Sequence, residues 1–185
     1  MVEAVTGETI SNLRVMIIDD SSYMLALVGT ILRMFEVKQI ETSRSAVNGL
    51  QKLQRYDPGL ILVNYHLDTM DGPEVTRTIR TNPGIVSARA PIILFSAYGE
   101  MEFVEQARDA GANDYLVKPF SPRTLMEHVV AVLRNPRDFV AALEYTGPDR
   151  RLPSRQVEFG GEDRRDSLST AEQDAVAENY EAATK

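Results

Sequence analysis

Gly59-Leu60-Ile61-Leu62-Val63-Asn64-Tyr65-His66-Leu67-Asp68-Thr69-Met70-Asp71-Gly72 is the stretch on which the fold of this chain turns. A continuous apolar run is bounded by Asp57-Pro58 on one side and Asp71-Gly72 on the other, the pattern of a strand buried on both faces. In a parallel sheet the carboxyl end of such a strand opens onto the ligand crevice. Asn64 stands at that end, so the chemistry of the protein, or its loss, is expected there.

The same signals recur on either side. Leu13-Arg14-Val15-Met16-Ile17-Ile18 is a β-rich run that stops at Asp19-Asp20. From Ser21 to Phe35 the apolar positions Leu25, Val28, Ile31, Leu32 and Phe35 recur at helical spacing, with Ser21 or Ser22 as N-cap. A short strand over Val37 to Thr42 and a helix marked by Ala46, Leu50 and Leu53 precede the central run. After it come a helix from about Pro73 to Arg80, a strand over Pro91 to Ser96, and a helix from Glu100 to Ala110 that Gly111 ends. Asp114 to Lys118 is the fifth strand, and Ser121 to Leu133 the fifth helix. Five strands alternating with five helices predict a parallel sheet covered on both faces.

The expected division is a lead-in over 1–12, one domain over 13–135 and a tail over 136–185, irregular or partly helical, with a short helix over 136–143. The tail carries a repeat: Tyr145-Thr146-Gly147-Pro148-Asp149-Arg150-Arg151 is echoed by Phe159-Gly160-Gly161-Glu162-Asp163-Arg164-Arg165. Two copies are too few for a solenoid. The arginine pairs can fork onto carboxylates or phosphates, and Tyr145 and Phe159 can anchor a contact, so Tyr145, Arg150, Arg151, Phe159, Arg164 and Arg165 are the expected interaction residues. The alternative is a solvated polar tail. Ser169-x-x-Glu172 has the form of a capping box before a helix with a thin apolar face, Val176 and Tyr180.

Bulk composition narrows the classes. A formal charge of -7 argues against general nucleic-acid affinity. The absence of cysteine excludes disulfides, thiolate catalysis and cysteine-held metals. Met1-Val2-Glu3-Ala4 has neither the basic start nor the apolar core of a signal peptide, and Ser21 to Leu32 is too short and polar to span a bilayer. The expectation is a cytoplasmic chain with no membrane insertion and no direct nucleic-acid partner.

The strand ends bring Asp19, Asp20, Asn64, Ser96 and Lys118 to one rim. Paired acids can hold a hard divalent cation, and a hydroxyl with an ammonium can orient phosphoryl oxygens. An acid pair alone is usually a solvated turn, and a Lys-Pro pair usually surface; it is their occurrence at matching strand ends that points to a site. With Ile17-Ile18-Asp19-Asp20, Met70-Asp71-Gly72, Phe95-Ser96-Ala97 and Gly111 to Phe120, the sequence resembles the receiver domain of bacterial two-component response regulators over about residues 13 to 134. The resemblance implies a flavodoxin-like fold with strand order 2-1-3-4-5. It also implies a signalling module rather than an enzyme, taking a phosphoryl group from a histidine kinase or phosphotransfer protein onto an aspartate with Mg²⁺ bound. Asp19 and Asp20 match the family's acid pair, Ser96 its switch hydroxyl, Lys118 its phosphate-facing lysine and Tyr115 the aromatic that changes rotamer on activation. The family's metal set falls on Asp19, Asp20, Asn64 and the backbone carbonyl of His66.

The departure is at the phosphoacceptor position, where the family's aspartate is Asn64. An amide nitrogen gives its lone pair to the carbonyl and does not attack phosphorus. Loss of one negative charge weakens Mg²⁺ binding. Three readings stay open: a pseudo-receiver that signals by shape through protein contacts, a phosphoryl-accepting regulator whose acceptor was substituted, and phosphorylation elsewhere, at Asp68 or His66. His66 otherwise reads as a solvent-facing loop residue and His128 as surface. The resemblance further implies a downstream signalling protein at the face of the fourth helix, fifth strand and fifth helix; a homodimer is also open.

Overall fold

The computed structural model describes residues 10–135, 137–142 and 145–149. Five strands, β1 (Arg14–Ile18), β2 (Gln39–Ser43), β3 (Leu60–Asn64), β4 (Ile92–Ser96) and β5 (Asp114–Val117), form one parallel sheet in the order β2-β1-β3-β4-β5. The helices are α1 (Ser22–Met34), α2 (Ala46–Leu53), α3 (Gly72–Thr81), α4 (Met101–Asp109) and α5 (Pro122–Arg134). Each lies within a residue or two of its expected span. The second strand is the exception in kind: its burial alternates, because it is the sheet edge, and it starts at Gln39 rather than Val37.

The central strands are apolar on both faces because two cores need them. Val15, Ile17, Leu60, Leu62, Ile93 and Phe95 pack with α1 and α5 through Val28, Leu32, Leu125 and Val129. Met16, Ile18, Ile61, Val63, Ile92 and Leu94 face the other way, onto Leu53, Val75, Ile79 and Ala107 from α2, α3 and α4. A period-2 strand between two apolar layers has no polar position to spare.

Side-chain caps fix where the helices begin. Ser21 Oγ accepts from the Met24 N–H and Ser121 Oγ from the Thr124 N–H, each three residues into its helix. At α3 Asp71 accepts from the Glu74 N–H while the Glu74 carboxylate accepts from the Asp71 N–H, a full capping box. Gly111 ends the turn after α4 with φ +96°, the left-handed region where a side chain is strained.

The segment after α5 is not helical. Phe139–Ala142 (β6) and Tyr145–Pro148 (β7) pair as an antiparallel hairpin, so the short helix expected over 136–143 is replaced by a strand. The reason is a partner outside the segment. Phe139 lies between two guanidiniums, 5.7 Å from that of Arg80 and 5.3 Å from that of Arg89. Gly147 approaches Gly111 so closely that a Cβ on it would lie 2.9 Å from the Gly111 Cα. The compact unit therefore runs to Asp149, beyond the boundary expected near Asn135. Arg150, Arg151, Phe159, Arg164 and Arg165, with the Ser169-x-x-Glu172 segment, lie outside the described residues.

Arg80 ties this end together. Its side chain is buried, and its Nε donates to the Gly111 carbonyl, Nη1 to the carbonyls of Ala88 and Ala90, and Nη2 to Asn113 Oδ1. Burial pushes the guanidinium down to about 10, still cationic at neutral pH. His128 also has a structural partner: its Nδ1 is 2.6 Å from Asp114 Oδ2, linking α5 to β5, so it is half-buried and paired rather than a free surface residue.

Candidate functional site

All five polar residues expected at the strand ends meet at one rim. Asp19, at the end of β1, is fully buried. Its Oδ1 accepts the Ser21 N–H at 2.8 Å, and its Oδ2 lies 3.5 Å from the Lys118 Nζ. Burial raises the Asp19 carboxyl above its ordinary value; the Ser21 N–H and the Lys118 ammonium oppose this, and neighbouring Asp20 adds to it.

Asn64 lies between the acid pair and the lysine. Its Oδ1 accepts from Lys118 Nζ at 3.0 Å. Its Nδ2 donates to Asp20 Oδ1 at 3.2 Å and to the backbone carbonyl of His66 at 2.5 Å. A lysine only donates, so the oxygen must face Lys118, and the orientation of the amide follows. Two backbone contacts keep the loop after β3 tight: the Gly72 N–H donates to the Tyr65 carbonyl at 2.6 Å, and a Cβ at Gly72 would fall 2.7 Å from the Asn64 carbonyl oxygen.

Lys118 is presented by the end of β5. Its N–H donates to the Ser96 carbonyl at 2.6 Å, the following Lys118–Pro119 peptide is cis, and its ammonium sits 4.7 Å from the Phe95 ring centroid. Ser96 is buried, and its Oγ accepts from the Tyr98 N–H at 3.1 Å. Tyr115 donates its hydroxyl to the Tyr98 carbonyl at 2.6 Å and meets Tyr65 edge-on, and burial raises its phenol.

Single-residue inspection of the sequence misses an aromatic cluster beside this rim. His66 is exposed, but its ring contacts those of Tyr65, Tyr98 and Phe103, and Tyr98 stacks on Phe103. The members come from three separate loops and helices, so only their shared position at the strand ends could have signalled them. Asp68 is exposed in the loop, and neither it nor the His66 ring bonds to the acid pair or Lys118 among the described contacts.

As it stands, the donor set does not fit a divalent cation. Among the described residues no group of three or more Asp, Glu, His and Cys side chains is gathered to hold a metal. The Asn64 oxygen expected to serve as a ligand is taken by Lys118, and an NH₂ group faces Asp20 and the His66 carbonyl instead. Metals are bound by lone pairs, and this group has none to offer.

A doubly wound parallel sheet with an acid pair, a hydroxyl and a lysine at its carboxyl rim defines a two-component receiver. Residues 15–130 match the response regulator receiver domain, and the chain belongs to that family. It is 29% identical over 152 residues to the DNA-binding response regulator MtrA of Mycobacterium leprae, a match covering 80% of this chain and 64% of that protein. The chain thus spans under two thirds of the length of that relative. A CheY-like receiver domain protein from Methanospirillum hungatei is 30% identical, with a TM-score of 0.57, covering 65% of this chain and 93% of its own. The receiver domain of a sensor histidine kinase from Pseudomonas aeruginosa, solved with magnesium in its active-site cleft, shares the fold at 24% identity and a TM-score of 0.60, covering 66% of this chain and 98% of its own. No helix among the described residues is long and apolar enough to cross a membrane.

Proposed function

We propose that this receiver domain signals through protein contacts without being phosphorylated. The observation that carries this reading is the amide at the acceptor position. Asn64 is held by Lys118, Asp20 and the His66 carbonyl where a nucleophilic carboxylate would have to stand. An uncharged amide is not a nucleophile toward phosphorus, and the pocket holds one negative charge fewer than with aspartate. Mg²⁺ affinity is accordingly lower than in the magnesium-bound receiver of the Pseudomonas aeruginosa kinase. The input partner is a histidine kinase or phosphotransfer protein that docks without transfer, and the output partner a downstream signalling protein. MtrA is named as DNA-binding; for this chain, with its acidic balance, protein partners are the better reading. A homodimer and a cytoplasmic location fit the same picture.

The hairpin that contains Tyr145 already docks on the receiver, which supports the tail as an interaction element. Its remaining units then serve a second protein. A substituted regulator is the second reading, favoured by the presence of Asp19, Asp20, Ser96 and Lys118 around a single amide. Under it, Asn64→Asp is a working phosphoacceptor.

The test is a partner recovered with the full chain and then titrated against it. With acetyl phosphate and Mg²⁺ added, affinity for the wild-type chain stays constant. A shift of about tenfold or more, equal to roughly 1.4 kcal/mol, would overturn the proposal.

A further inference from the structure

We infer that the Asn64 amide group replaces the divalent cation as the permanent cross-link of this pocket, so that the site is closed without metal. This rests on the reading of Asn64 as a non-acceptor and goes beyond it. The two N–H bonds of Asn64 reach a carboxylate on the end of β1, Asp20 Oδ1 at 3.2 Å, and the His66 carbonyl in the loop after β3. The β1–β3 pairing brings these two segments side by side, and two electron-rich oxygens set next to each other there call for a shared positive partner. The amide supplies partial positive charge on two hydrogens at that place, and its oxygen takes the Lys118 ammonium at 3.0 Å. Both donors and one of the two oxygen lone pairs of the side chain are thereby engaged at once.

Turning the amide over to offer its oxygen to a metal would be costly. Nδ2 would then face the Lys118 ammonium, donor against donor, and Asp20 and His66 would lose their partner. Charge points the same way. Asp19, Asp20 and Lys118 leave the pocket one negative charge in excess, against two were residue 64 an aspartate. A hard cation gains less here and must first break the bonds already formed.

From Asn64 the contacts continue without a gap. Lys118 holds the amide oxygen, and its own N–H binds the Ser96 carbonyl. Ser96 Oγ takes the Tyr98 N–H, and the Tyr98 carbonyl takes the Tyr115 hydroxyl. The amide therefore fixes a connected set of groups, from the acid pair to Tyr115, in one arrangement that magnesium does not change.

Thermal melts of the full chain with and without millimolar MgCl₂, balanced for ionic strength with NaCl, test this. The wild-type midpoint is expected not to move. The Asn64→Asp variant is expected to melt below wild type without magnesium and to rise when it is added. In parallel, ¹⁵N-detected spectra should show the Asn64 NH₂ as two resolved, slowly exchanging protons unaffected by magnesium. A wild-type midpoint that climbs with magnesium, or an Asn64 NH₂ that exchanges like an exposed amide, overturns the inference. The NH₂ signal decides the matter even if Asn64→Asp fails to fold. Phosphoryl transfer to the wild-type chain would instead defeat the proposed function and leave these melts untouched.

Discussion

Replacing Arg80 with Met should loosen the end of the domain opposite the acidic pocket and release the hairpin. Met keeps the apolar stem but removes four hydrogen bonds, to the carbonyls of Gly111, Ala88 and Ala90 and to Asn113 Oδ1. Bonds from a charged donor contribute roughly 1.5–3 kcal/mol each, and buried acceptors left without partners cost about 1–3 kcal/mol. Against this stands the burial cost of the guanidinium. Burial lowers its pKa to about 10, a shift that corresponds to about 3 kcal/mol. Asn113 Oδ1 keeps the Ile92 N–H as a donor, which softens one of the four losses. The bonds win, and the net destabilisation is on the order of 3–5 kcal/mol, or on the order of 10 °C for a unit of this size. Circular-dichroism melts measure that shift, and amide exchange over residues 139–148 measures the hairpin. Phe139→Ala should raise hairpin exchange at a smaller cost, about 1–2 kcal/mol, since only the half-buried ring between Arg80 and Arg89 is lost. An Arg80→Met chain that melts with wild type and keeps its hairpin protected would refute this account of how the hairpin docks.

Asp19 carries a pH signature. Its carboxyl is raised in the folded state, chiefly by burial, so between the ordinary value of 3.8 and the raised one the folded chain binds more protons than the unfolded. Its contribution to stability therefore falls as pH rises through that window. The stability of wild type relative to Asp19→Asn, measured by urea melts, should decline from pH 4 upward; a rising difference would mean that Lys118 outweighs burial. Gly72→Ala places a Cβ 2.7 Å from the Asn64 carbonyl and 2.9 Å from the Tyr65 Cα. Both contacts are backbone, so the loop must shift, and a loss of about 1–3 kcal/mol by chemical denaturation is expected.

The fold is legible in the sequence because both faces of its sheet are covered. Val15 to Ile18, Leu60 to Val63 and Ile92 to Phe95 have no polar residue, which leaves a parallel sheet between helical layers as the economical solution. Three of the rim residues are legible for a related reason: Asp19, Asn64 and Ser96 each follow directly on such a run, while Lys118 follows the mixed strand Asp114–Val117 and is placed by the Pro119 that closes it. The hairpin is not. Phe139 to Pro148 shows no period of its own and forms a strand pair against Arg80, Arg89 and Gly111, residues at least 28 positions away in the chain. His128 misleads for a similar reason, since its partner Asp114 comes from a neighbouring strand. The orientation of Asn64 is likewise tertiary, because the choice between oxygen and nitrogen is made by Lys118, 54 positions downstream.

The acceptor position itself offers the most direct measurement. The full chain is incubated with acetyl phosphate and Mg²⁺ and weighed intact, beside Asn64→Asp treated in the same way. The expected result is an unmodified wild-type mass and a hydroxylamine-labile phosphoryl adduct on the variant, since Asp19, Asp20, Ser96 and Lys118 are in place around residue 64. A stoichiometric, hydroxylamine-labile adduct on the wild-type chain would contradict the central claim and move the acceptor to another carboxylate, with Asp68 the first to replace.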